Sequence, residues 1–138
     1  MNGKLDIIED HLLNKKLIGV WEMIRDDSSA DVEGYALSFE GYFLEIKTML
    51  DVSAIGIECW HVQEKFPQGA RSGCFYHGVS HSNPYAQCLD KEFSKWRLIV
   101  GERGNWEGLM ISLGRLTGLC FMSVECSISM FLLNGTQY

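Results

Sequence analysis

The sequence has no apolar run of 18 residues; its most apolar stretch, 118–133, is broken by Glu125 and three serines. A membrane-crossing helix is therefore not expected, because the hydrocarbon core asks for about 20 consecutive apolar residues. Residues 1–20 carry no charged n-region followed by an apolar core. The reading is a cytoplasmic chain without a secretory signal, its thiols reduced. No P-loop, nucleophile elbow or Gly-x-Gly-x-x-Gly pattern occurs, and no Cys-x2-Cys knuckle. The segment DDSSADVE lacks the ligand spacing and central glycine of a calcium loop. Positive charge is scarce as well: residues 1–64 hold thirteen acidic and five basic side chains, net −8, and residues 65–138 come to net +2. An acidic half argues against nucleic acid, whose phosphates require a basic surface, and suits a basic protein partner instead.

What is present fits one ordinary folded domain. Hydrophobic residues make up 46% of the 138 and charged residues 22%, proportions that allow a sizeable core and rule out disorder. The five cysteines, Cys59, Cys74, Cys88, Cys120 and Cys126, are odd in number and form no compact motif. Those inside strand patterns behave as small hydrophobes. The sharpest chemical constellation is Cys74-x2-His77-x3-His81-x6-Cys88. Two thiolates and two imidazoles suit tetrahedral zinc, but this order and spacing match no familiar zinc module. No metal, cofactor or catalytic residue is expected, and an enzyme or metal-dependent module using Cys74, His77 and His81 stands as the alternative reading.

Alternation of period two runs through most of the chain and is cleanest in 122–130, where every even position is apolar and every odd one Ser or Glu. The pattern predicts one continuous strand over 122–130, with Val124, Cys126 and Ile128 buried and Ser123, Glu125 and Ser127 in water. Further strands are expected at 17–25, 34–39, 42–48, 54–60, 95–101, 107–113 and across 118–133. Tight turns fall at Glu40-Gly41, Gly101–Gly104 and Gly114–Gly118. Residues 4–15 read as an amphipathic helix with Leu5, Ile8 and Leu12 on one face. Residues 61–93 hold both prolines and three of the four histidines, and they read as an irregular segment with a short helix over 84–93. The expected fold is a single α+β domain over 1–138, the helix packed on a mainly antiparallel sheet of about six to eight strands. The halves share an outline: a strand with Trp (Trp21, Trp96), a loop, then Gly34–Phe39 or Gly108–Leu113. Duplication and ordinary hairpin composition explain that outline equally well.

Asp26, Asp27, Asp31 and Glu33 form a dense acidic loop beside Gly34-Tyr35, with Tyr42-Phe43 across the hairpin. Carboxylates flanking an aromatic anchor make a protein-binding patch, with Asp26, Asp27, Asp31, Glu33 and Tyr35 as its residues. Alternation equally places Tyr35, Leu37 and Phe39 together in the core. The stretches Leu17–Met23, Gly34–Glu40 and Phe43–Ile46 give the front half a pattern that resembles small bacterial immunity-type proteins of polymorphic or contact-dependent toxin systems. The resemblance implies an acidic α+β protein that binds and blocks a cognate toxin. It carries no site residue over, and the insertion at 61–93 departs from it. The functional expectation is a non-catalytic module for a basic protein partner, with homo-oligomers through exposed strand edges as a further option.

Overall fold

The computed structural model describes residues 3–25, 32–49, 54–62, 70–71, 74–79, 85–124 and 127–134. It is mostly β, with one helix. Helix α1 (Gly3–Leu12) leads into β1 (Leu17–Arg25), β2 (Val32–Phe39), β3 (Tyr42–Met49) and β4 (Ala54–His61). Then come β5 (Ala70–Arg71), β6 (Cys74–Gly78), a 3-10 helix at Tyr85–Cys88, β7 (Phe93–Val100), β8 (Trp106–Leu113), β9 (Thr117–Val124) and β10 (Ser127–Asn134). One expected sheet of six to eight strands is therefore replaced by two antiparallel sheets, ordered β4-β3-β2-β1-β6-β5 and β10-β9-β8-β7. Nine strands are of ordinary length, and β5 is a two-residue addition at an edge. The stretch expected to be irregular contributes β5, β6 and the 3-10 helix. Among the described residues no helix is long and apolar enough to cross a membrane.

The sheets face each other over one core. Tyr35 meets Phe121 with ring centroids 5.5 Å apart, and Phe39 meets Phe93 edge-on at 6.0 Å. Leu37, Leu44, Ile46, Leu109, Ile111 and Leu119 fill the space between, all inaccessible to solvent. Alternation along the strands sends them there. Helix α1 adds a narrow stripe, Leu5, Ile8 and Leu12, as its periodicity predicts. It is a light attachment to the sheets, with no layer of its own.

The chain folds as two copies of one unit. Each copy is a helical segment (α1 in the first, the single 3-10 turn Tyr85–Cys88 in the second), a residue in the left-handed region (Asn14 at φ 65°, Asp90 at φ 64°) and a four-stranded meander. The β1–β2 register steps between Leu17↔Phe39 and Gly19↔Ser38, and β7–β8 steps at the same place, between Phe93↔Leu113 and Lys95↔Ser112. A second irregularity follows Met23↔Gly34 in one unit and Ile99↔Gly108 in the other. The joint is reciprocal. Leu17 donates to the Lys91 carbonyl and Phe93 to that of Lys15, both at 2.9 Å; Asn14 donates to Phe93 and Asp90 to Leu17, again at 2.9 Å. The Lys16↔Glu92 bridge sits at its centre. This is how protomers meet across an isologous interface, here within one chain. Register also corrects the sequence outline: Trp96 corresponds to Val20, and Trp21 to Arg97, so the two tryptophans face opposite ways.

The second correction concerns 122–130. Instead of one strand it holds the end of β9 and the start of β10, which pair antiparallel with Val124↔Ser127 and Ser123↔Ile128 as partners. Even positions therefore pair with odd ones, so even positions face opposite ways in the two arms. Ile128 is buried as expected, but Val124 is half exposed and the Ser123 hydroxyl is enclosed. A period-two pattern carries no mark of a break that changes its parity. Cys126 and Glu125 lie outside the described residues.

Candidate functional site

The most developed polar arrangement lies on the outer face of the first sheet. Along β2 the outward positions are Gly34, Ala36 and Ser38, all small and all buried, so this central strand is covered on both faces. The cover comes from the sheet's own curl. Tyr76 on β6 donates its hydroxyl to Glu45 Oε2 on β3 at 2.7 Å. These strands stand three places apart, about 14 Å in a flat sheet at ordinary strand spacing. Two such side chains meet only if the sheet curls into a trough. Lys47 Nζ lies 3.2 Å from Glu45 Oε1, so the carboxylate, 1% exposed, faces both an ammonium and a phenol. Trp21 completes the lining and donates through Nε1 to Ser38 Oγ at 3.2 Å. Its indole lies along Gly78, where an added Cβ would stand 3.0 Å from Cζ3. Met23 and Phe43 supply the apolar remainder.

This trough is hidden in the sequence because Glu45 and Lys47 sit at outward positions of an alternating strand, where charge ordinarily meets water. The readable signal is the small, nearly apolar set Gly34, Ala36 and Ser38 beside them. Chemically, the Tyr76–Glu45–Lys47 group compensates a buried charge and ties β3 to β6. Buried carboxylates are tolerated when paired and hydrogen-bonded in this way.

Of the residues expected at a partner surface, Asp26, Asp27 and Asp31 lie outside the described residues. Glu33 sits part-buried in β2 at the start of the first unit's central hairpin. Tyr35 does not present its ring at the surface: it is 7% exposed and packs on Phe121 between the sheets. Burial pushes its phenol up to about 12, Glu22 and Tyr85 add to the push, and the Met130 main chain opposes it. The Cys/His constellation is only partly placed. His77 stands exposed on β6 with Nδ1 3.2 Å from Glu22 Oε1. Cys88 is fully buried in the 3-10 helix, and His81 lies outside the described residues. Among the described residues no group of three or more His, Cys, Asp or Glu is arranged to hold a metal ion.

The buried and half-buried thiols give a pH prediction. Burial pushes Cys59 and Cys88 up to about 11 from 9.0, and Cys120 moves the same way. The folded chain therefore keeps these protons, and the Tyr35 proton, after the unfolded chain has released them. Stability is at its full value below pH 9 and should decline as pH rises from about 9 to 12. Denaturant midpoints measured across that range check it, and a midpoint independent of pH would refute it. Native-state alkylation near pH 8 should leave Cys59 and Cys88 unmodified, since the thiolate is the reactive form.

Comparison with protein-family models, with curated proteins and with solved structures finds no match to this chain.

Proposed function

We propose that this protein is a non-catalytic binding module that captures a basic protein and neutralises it, in the manner of immunity proteins toward their toxins. One observation carries the reading: two units of the same architecture differ sharply in charge. Residues 1–64, with α1 and β1 to β4, are net −8, whereas residues 85–138, with the second meander, hold five acidic and five basic side chains and are net 0, although both meanders use the same register and the same joint. Architecture imposes no such difference, so it belongs to the surfaces. An acidic face speeds encounter with a basic partner and excludes acidic ones. Within that face, Asp26, Asp27, Asp31 and Glu33 steer the approach. With Tyr35 committed to the core, apolar anchoring falls to other side chains of the first unit.

The test is a variant with Asp26, Asp27, Asp31 and Glu33 all neutralised, offered to the basic protein that co-purifies with the chain from its native host. The variant's denaturation midpoint is measured alongside, because Glu33 is part-buried in β2 and its replacement carries a folding cost of its own. Association should slow and lose much of its salt dependence, because exposed charges act through a field screened over about 10 Å. Association rates that are unchanged across a salt series would remove the acidic loop from the site.

A further inference from the structure

The duplicated architecture has a place that is filled in one unit and, among the described residues, open in the other. In the first unit, β6 pairs antiparallel with the outer edge of β1, from Trp21↔Gly78 to Arg25↔Cys74. It also supplies Tyr76, which closes the trough over the outer face. In the second unit β7, the counterpart of β1, pairs only with β8 among the described residues beyond its Phe93 joint. The main-chain groups of β1 that point toward β6 include the Val20 carbonyl, which accepts from Val79 at 2.9 Å. By register, Trp96, Leu98 and Val100 present theirs along the free edge. The outer face of the same sheet is also uncovered: Met110 on β8 and Cys120 and Met122 on β9 are part-buried, while Val124 at the end of β9 and Phe131 on the far edge strand β10 are each 50% exposed. Where Trp21 fills the first unit and bonds Ser38, the second has Arg97 above Ser112. A cavity of about 230 Å³ is left there, lined by Lys95, Trp96, Arg97, Met110 and Ser112.

We propose that the free edge of β7 is a docking site for an extended acidic segment of another protein, which adds an antiparallel strand where β6 stands in the first unit. Charge selects the occupant. Lys95 and Arg97 are exposed on the outer side of the edge. A residue opposite Arg97, in the place Gly78 holds against Trp21, meets no indole, and a carboxylate there pairs with the guanidinium. Alternate side chains of the same segment lie over the near part of the outer face, and one of them enters the cavity beside Met110. A second copy of β7 is disfavoured, because antiparallel self-pairing brings Lys95 and Arg97 of the two copies opposite or diagonal to one another. Like charges so placed destabilise a sheet, and cationic edges are a common guard against self-pairing. The site lies on the second unit and stands whether or not the acidic face binds a basic protein.

The probe is a short capped peptide alternating glutamate with valine, titrated into the intact protein while main-chain amide shifts are followed. Shifts should centre on 95–100 and reach Met110 and Ser112, which line the cavity. Reversing both charges (Lys95→Glu with Arg97→Glu) should weaken binding roughly tenfold or more, because two attractive charge pairs become repulsive. N-methylation of alternate peptide amides should abolish binding with the protein untouched, which separates strand addition from loose electrostatic contact. Equal binding of a lysine–valine peptide, indifference to N-methylation, or shifts centred elsewhere would overturn the proposal. So would sedimentation showing a wild-type dimer that the double charge reversal dissolves, since the occupant would then be a second copy.

Discussion

Replacing Phe93 with alanine should cost about 3–5 kcal/mol, as removal of a fully enclosed aromatic usually does. Phe93 is inaccessible to solvent and lies at the joint of the two units. Its ring meets Phe39 at 6.0 Å and Trp96 at 5.8 Å, both edge-on, while its main chain bonds Lys15 and Asn14 of the first unit. Side chain and backbone thus serve the same contact from two directions. A loss of that size is a large share of the roughly 5–15 kcal/mol typical of a domain. Leu98→Ala, on a half-buried and peripheral site of the same strand, should cost clearly less. Chemical denaturation of both variants checks the ordering, and equal costs would show that the joint has no special place in the core.

The second large effect is expected at two glycines with one reason between them. A Cβ at Gly34 would stand 2.4 Å from the Ile46 carbonyl oxygen, and one at Gly108 would stand 2.7 Å from that of Phe121. Ile46 and Phe121 occupy corresponding positions on β3 and β9, so the close approach belongs to the repeated unit. Backbone cannot step aside as the end of a flexible side chain can. Gly34→Ala should therefore destabilise by about 2–3 kcal/mol, at the upper end of ordinary overpacking, with Gly108→Ala costing a similar amount. Gly104→Ala, with open space around it but φ at 81°, should cost less. Thermal midpoints of the three variants rank them. A silent Gly34→Ala would mean that the strands separate there without penalty.

How far the sequence reveals this fold varies along the chain. Leu5, Ile8 and Leu12 mark α1, and the strand starting at Leu17 and the hairpin at Glu40-Gly41 fall where alternation and turn chemistry place them. Local pattern suffices there because each element's neighbours lie close in sequence. It fails where long-range pairing decides. Nothing local says that Cys74–Gly78 crosses back to the free side of β1, or that the sheet divides into two layers. The duplication is visible in Gly34–Phe39 and Gly108–Leu113, yet the tryptophans misalign it by one residue, and a one-residue slip reverses every face. Tyr35 illustrates the same ambiguity, since an aromatic beside acids reads as an anchor until its partner Phe121 is known. Glu45 is the least legible, because its burial depends on Tyr76 arriving from a strand remote in the chain.

The reciprocal joint also bears on how the chain reaches its structure. Pairings inside each meander connect strands that follow one another, so each half closes only short loops. The Lys16↔Glu92 bridge and the β1–β6 ladder connect distant parts of the sequence and carry the greater loop-closure entropy. The halves are therefore expected to condense first and dock afterwards. Because the joint is built from equivalent groups on both sides, a half from a neighbouring chain satisfies it as well as the chain's own. Refolding at high concentration thus carries an inherent route to exchanged, domain-swapped dimers, which dilution suppresses.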